Sequence, residues 1–135
     1  MKRLLLPLLA ALALPTTVNA EPVWIEFHRL KAFDYKKEKC PFNHCGFINY
    51  VDVKSIVRNK ENVFFNLLWR DFGVADELWP ITDSMKSSGS MDCKKRIFTG
   101  EGYKTKVKDA PIKDINNNDV NSPTKDLYNF VCDWK

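Results

Sequence analysis

Apolar and polar positions change rhythm several times along this chain, and each change marks an element. Val23-Trp24-Ile25-Glu26-Phe27-His28 is rich in strand-favouring residues, with Pro22 suited to its start. A lysine-rich stretch, Lys31 to Lys39, leads to Gly46-Phe47-Ile48-Asn49-Tyr50-Val51-Asp52, a second strand. Asp52 to Ile56 reads as a turn, and Arg58-Asn59-Lys60-Glu61-Asn62 as a polar hairpin tip. Val63-Phe64-Phe65-Asn66-Leu67-Leu68-Trp69-Arg70 follows, an apolar run of strand length that needs cover on at least one face. Signals weaken from Asp71 to Ser90: Trp79-Pro80 opposes a helix, and Ser84 to Ser90 has the composition of a flexible segment. Met91 to Thr99 resumes a strand, Gly100-Glu101-Gly102 turns, and Tyr103 to Lys108 alternates with period two, so the pair predicts a hairpin.

After a polar, asparagine-rich loop (Asp109 to Asn121), the rhythm becomes helical. Ser122 suits an N-cap, Pro123 the first helical position and Asp126 the first turn. Leu127, Phe130, Val131 and Trp134 recur at i, i+3, i+4 and i+7, giving one apolar face. The pattern predicts an α+β domain: a small antiparallel sheet of about five to six strands with a C-terminal helix packed on it and braced by disulfides.

Composition changes this picture at the N-terminus. Met1-Lys2-Arg3, the apolar run Leu4 to Leu14, and small residues at Val18 and Ala20 have the layout of a secretory signal peptide cleaved after Ala20. The run is too short for a hydrocarbon core, which needs about 20 residues. The expected organisation is therefore a leader over 1–20 and one domain over 21–135, exported to the periplasm, the cell surface or beyond. Loss of Lys2 and Arg3 reduces the formal charge from +4 to +2, leaving no concentrated basic stripe for nucleic acid. No later segment is apolar enough to predict a membrane span, whereas four Trp, four Tyr and nine Phe make the domain aromatic-rich.

Export permits disulfides, and the four cysteines allow three pairings. Cys40 and Cys45 flank a tight loop containing Pro41 and Asn43, which favours Cys40–Cys45 and leaves Cys93–Cys132 to clamp the helix on the sheet. A metal site using Cys40, His44, Cys45 and His28 is disfavoured, because zinc sites repeat their ligand pairs and this group stands alone. No metal or cofactor is expected.

The candidate chemistry is sparse. His28 and His44 lack a nucleophile motif, and Asp52 beside Ser55 is more simply a turn cap than an acid–base pair. Asp92 reads as a solvent-facing strand residue. Lys104, Lys106 and Lys108 alternate on one face of the last strand. They serve either as a charged edge that discourages aggregation or as a patch for an acidic partner. Trp69 is assigned to the core, while Trp79, in a loop, joins the lysines as a candidate binding residue.

The order of these features resembles the surface-adhesin protein E family of bacterial exported domains. The features are Trp24, Tyr50-Val51-Asp52-Val53-Lys54-Ser55-Ile56, the strand Val63 to Trp69, Asp92-Cys93-Lys94-Lys95-Arg96 and the late Cys132. The resemblance spans most of residues 24–134 and implies a sheet-plus-helix fold tied by a disulfide, in a family that includes adhesins for host proteins. The Cys40–Cys45 loop and the Trp79-Pro80 stretch depart from it. The expectation is a non-enzymatic exported binding or surface protein whose partner is an extracellular or envelope protein or an acidic glycan. The alternatives are a small exported enzyme or enzyme inhibitor using Asp52, His28 or His44, and a structural envelope protein that forms a homodimer through an edge strand.

Overall fold

A computed structural model describes residues 20–31 and 40–135. The leader expected over 1–20 therefore lies, apart from Ala20, outside the described residues, as does most of the lysine-rich stretch. Six antiparallel strands form one sheet in chain order: β1 (Trp24–Lys31), β2 (Gly46–Asn59), β3 (Asn62–Phe72), β4 (Lys86–Asp92), β5 (Ile97–Gly100) and β6 (Tyr103–Lys106). A two-residue pair, β7 (Ile112–Lys113) with β8 (Asp119–Val120), interrupts the polar loop. Helix α1 (Pro123–Asp133) then closes the chain. The α+β sheet-plus-helix architecture and both disulfides, Cys40–Cys45 and Cys93–Cys132, are as expected.

Three elements depart from the sequence reading, each for a local reason. Asp52 to Ile56 does not turn; β2 continues through a bulge, its pairing jumping from Asp52 opposite Asn66 to Val57 opposite Phe64. The Ser55 hydroxyl bridges the irregularity. It donates to the Asp52 carbonyl (2.7 Å) and accepts the Asn66 N–H (2.7 Å), replacing a lost backbone partner. Met91 to Thr99 is two strands, because Asp92 Oδ1 accepts the Lys95 N–H (2.8 Å) and Arg96 takes a left-handed conformation (φ 58°). Ser84 to Ser90, for its part, supplies most of β4. Gly89 lies opposite Phe65, and a Cβ there would come within 2.8 Å of the Phe98 ring, so the small residue lets two aromatics close over the strand.

Helix α1 begins as the sequence implies, with Ser122 Oγ accepting the Lys125 N–H (3.2 Å) and Pro123 following it. Leu127 and Val131 are buried against Val51, Val63, Phe65, Met91 and Phe98. The apolar face is shorter than its spacing suggested: the helix ends at Asp133, and Trp134 lies beyond it, stacked on half-buried Phe130 (5.3 Å). At its C-terminal end Arg58 Nη2 donates to the carbonyls of Val131 (3.3 Å) and Cys132 (2.9 Å), satisfying acceptors that a helix end leaves unpaired. At its first turn Asp126 Oδ2 meets His28 Nδ1 of β1 (2.7 Å). Cys93–Cys132 ties the same helix to the end of β4.

The helix covers one end of one face of the sheet. At the other end the opposite face is covered by the Cys40–Cys45 loop, whose buried sulfurs pack with Ile48 and Phe72. A further link joins the β4–β5 turn to the helix, because Asp109 accepts from Arg96 (2.6 and 2.9 Å) and from Lys125 (2.8 Å). These hydrogen bonds, Arg96 first, hold the Asp109 carboxyl down to about 2.

Two outcomes test these ties. In the chain-entropy model, replacing Cys93 and Cys132 by Ser lowers the unfolding free energy by about 4 kcal/mol, and replacing Cys40 and Cys45 by about 2 kcal/mol. Urea denaturation of the two double variants measures the order. Because its folded-state pKa lies below the unfolded value, the stabilisation from Asp109 is complete above the ordinary carboxylate range and is lost as pH falls toward 2. An NMR titration of the Asp109 side chain should give a midpoint near that value, moving upward in Arg96→Ala.

Candidate functional site

Strand register sorts the sheet residues into two faces. On the face opposite the helix, Trp24, Asp52, Asn66 and Ser88 stand directly opposite one another across β1, β2, β3 and β4. A parallel row runs Val57, Phe64, Ser90, Thr99 and Lys104, and a third Asn59, Asn62, Asp92, Ile97 and Lys106. Phe64 is 48% exposed in the middle of this surface, and Val57 beside it is also exposed. The sequence gives a partial signal for this. The run Val63 to Trp69 is apolar on both parities, yet the helix-facing side uses only Val63, Phe65 and Leu67.

The lysines divide. Lys104 and Lys106 project on β6 with Thr105 between them on the helix side, both exposed and without an ion pair among the described residues. Lys108 does not continue their row. The strand ends at Lys106 and Val107 is buried. The Lys108 backbone is then held at the start of the helix, its N–H donating to Thr124 Oγ1 (3.1 Å) and its carbonyl accepting from Ser122 Oγ (2.6 Å). Sequence spacing also missed Lys60, Lys94 and Lys95. The β2–β3 and β4–β5 turns bring these to the same end of the sheet, around a hollow of about 340 Å³ shared with Asp92 and Glu61.

Asp52 is 7% exposed and, as expected of a cap, its Oδ1 accepts the N–H groups of Val23 (2.9 Å) and Lys54 (3.1 Å). It also lines a second hollow of about 490 Å³ on the same face, together with Trp24, Asn66 and Ser88.

Trp79 lies elsewhere. Its N–H donates to the Asp71 carbonyl (3.0 Å) and its carbonyl accepts from Arg70 Nε (2.7 Å), which sets it opposite Asp71 at the far end of the helix-bearing face. His44 sits between Trp79 (ring centroids 6.0 Å) and Asp71 (Nε2 to Oδ1, 3.1 Å). Trp69, assigned to the core from sequence, is instead 54% exposed there, edge-on to Phe47 at 5.8 Å. It lies on the helix side of the sheet but beyond the helix's reach. Trp79 and the lysines therefore do not form one site.

The residues of an acid–base reading are likewise dispersed. His28 is 4% exposed, bound through Nδ1 to Asp126, and its Nε2 has no hydrogen-bond partner among the described residues. Among the described residues no three His, Cys, Asp or Glu side chains converge on a metal site, and all four cysteines are disulfide-bonded. No helix among the described residues is long and apolar enough to cross a membrane.

No family model, no curated protein and no solved structure matches this chain.

The exposed and covered sides of β3 are separable by mutation. Phe65→Ala, at a 2% exposed position, should cost about 3–5 kcal/mol of stability, whereas Phe64→Ala should leave it within about 0.5 kcal/mol. Thermal denaturation of the two variants side by side measures the contrast.

Proposed function

We propose that this chain is an exported, non-enzymatic binding domain of the surface-adhesin protein E type, which takes an extracellular or envelope partner on the open face of its sheet. The observation that carries this reading is the uncovered half of that face. Half-exposed Phe64 and Val57 sit among hydroxyl and amide side chains, bordered by Lys104 and Lys106, which have no ion pair among the described residues. An aromatic side chain surrounded by adaptable hydrogen-bonding groups, with a charged rim, is the composition of a recognition surface. The rim charge favours a partner bearing carboxylate or sulfate groups, because unpaired surface cations raise the encounter rate with anions.

Two disulfides and the leader-like N-terminus support export. Dispersal of His28, His44 and Asp52 to a buried helix contact, a loop and a backbone cap favours binding over catalysis. Self-association through an edge strand is the weaker reading. Exposed β6 is four residues long and carries two lysines, and β1 is broken by a bulge between Glu26 and His28; both features discourage edge pairing.

The test uses the domain from Glu21 onward, immobilised and exposed to heparin and to solubilised extracellular-matrix and bacterial envelope proteins. Binding should weaken at least tenfold in the double variant Lys104→Glu/Lys106→Glu and fall with added salt, at unchanged melting temperature. Binding that ignores the double variant, or no binding at all, would overturn the proposal.

A further inference from the structure

The hollow beside Asp52 has a chemistry that the lysine rim does not explain. It is a trough of about 490 Å³ lined by Trp24, Asp52, Asn66, Lys86, Ser88 and Glu101. Trp24 supplies a half-buried indole at one end of the row, and Glu101, in the β5–β6 turn, stands at the other side. Asp52 forms the floor, and its orientation is fixed. Oδ1 is occupied by two backbone N–H groups, while Oδ2 makes no hydrogen bond within the described protein. A carboxylate only accepts hydrogen bonds, so its free oxygen calls for a donor from outside.

Neighbouring groups are similarly pre-set. The Ser88 hydroxyl donates to Asn66 Oδ1 (2.9 Å), and the Asn66 backbone N–H is spent on Ser55 Oγ (2.7 Å). The Asn66 side-chain N–H₂ is thereby turned from Ser88 and left as a donor without a partner among the described residues. Lys86 adds a cation, drawn toward Asp83 at 3.4 Å, and Glu101 a second acceptor. An acceptor held by two backbone N–H groups, Asp52, and a donor turned by Ser88, the Asn66 amide, beside an apolar ring match a ligand with a hydrocarbon face and a fringe of hydroxyls. Two carboxylates against one ammonium disfavour an anionic group in the trough itself.

From this we infer that the trough is a carbohydrate subsite that holds an uncharged sugar ring. The ring lies with its C–H face against Trp24. Its hydroxyls donate to Asp52 Oδ2 and Glu101 and accept from the Asn66 amide. Apolar contact with an indole and hydrogen bonds to pre-oriented polar groups are the two components of a small-ligand site, one supplying affinity and the other orientation. The inference rests on the open-face reading for its location, but not on the lysines for its chemistry. Because Ala20 also forms part of the rim and would leave with the predicted leader, the chain used for the test begins at Glu21.

Chitohexaose, a neutral oligosaccharide, and a hyaluronan hexasaccharide, an acidic one, are titrated into the ¹⁵N-labelled domain and followed by NMR. Chitohexaose should shift the Trp24 indole N–H and the amides of Asn66 and Ser88, with an affinity unchanged between low and high salt. That affinity should fall at least tenfold in Trp24→Ala and in Asn66→Ala. Asn66 is exposed, so its variant retains the fold even if Trp24→Ala loosens β1. No shift with chitohexaose, or shifts unaffected by both variants, would overturn the subsite. Binding of hyaluronan alone, abolished by Lys104→Glu/Lys106→Glu, would also overturn it while leaving the proposed binding function standing.

Discussion

Docking of one short helix is the constraint from which the rest of this structure follows. An isolated helix of eleven residues is marginal in water, so α1 exists because its Leu127–Val131 face is buried on the sheet. Different chemistry secures each part of it. The His28–Asp126 contact holds the first turn, Arg58 satisfies the last carbonyls, and Cys93–Cys132 joins its final turn to β4. None of the three is a substitute for the apolar contact; each limits where that contact can form.

The helix is also too short for its sheet. Eleven helical residues rise about 16 Å, while the eleven residues of β3 extend about 36 Å. Less than half of a strand's length can therefore be covered along that direction. The disulfide loop covers the other end, but from the opposite side. Diagonal covers leave two open half-faces of unlike character. One carries Phe47, Trp69 and Trp79 near His44 and Asp71. The other carries Trp24, Asp52, Asn66, Ser88 and the β6 lysines.

This geometry explains what could be read from the chain and what could not. Ser122-Pro123 and the i, i+3, i+4 spacing after it announce a helix because capping and burial are local properties. Both cysteine pairs were legible from loop length and helix position. Trp69 is exposed where its sequence context implies burial, because alternation tells which face a residue occupies, and only tertiary packing tells how far along that face the cover extends. Lys108 falls outside the lysine row because a period-two pattern does not mark where pairing stops, and here buried Val107 and the start of the helix end the strand. The β4 strand was hidden in serines and Gly89, whose value lies in admitting the Phe65 and Phe98 rings rather than in any strand preference of their own. Asp52 showed as a cap, but its second oxygen acquires meaning only when Asn66 and Ser88 arrive from other strands.

The contact between His28 and Asp126 joins residues 98 positions apart. Closing so large a loop is entropically unfavourable until the intervening strands have paired and shortened the path, so this contact depends on a sheet that is already formed. With the helix displaced, Val51, Val63, Phe65 and Met91 would face solvent together, a sticky apolar surface on the sheet. Any opening of α1 therefore exposes the chain to aggregation. The Cys93–Cys132 bond opposes such opening by tethering the helix beside its own binding surface.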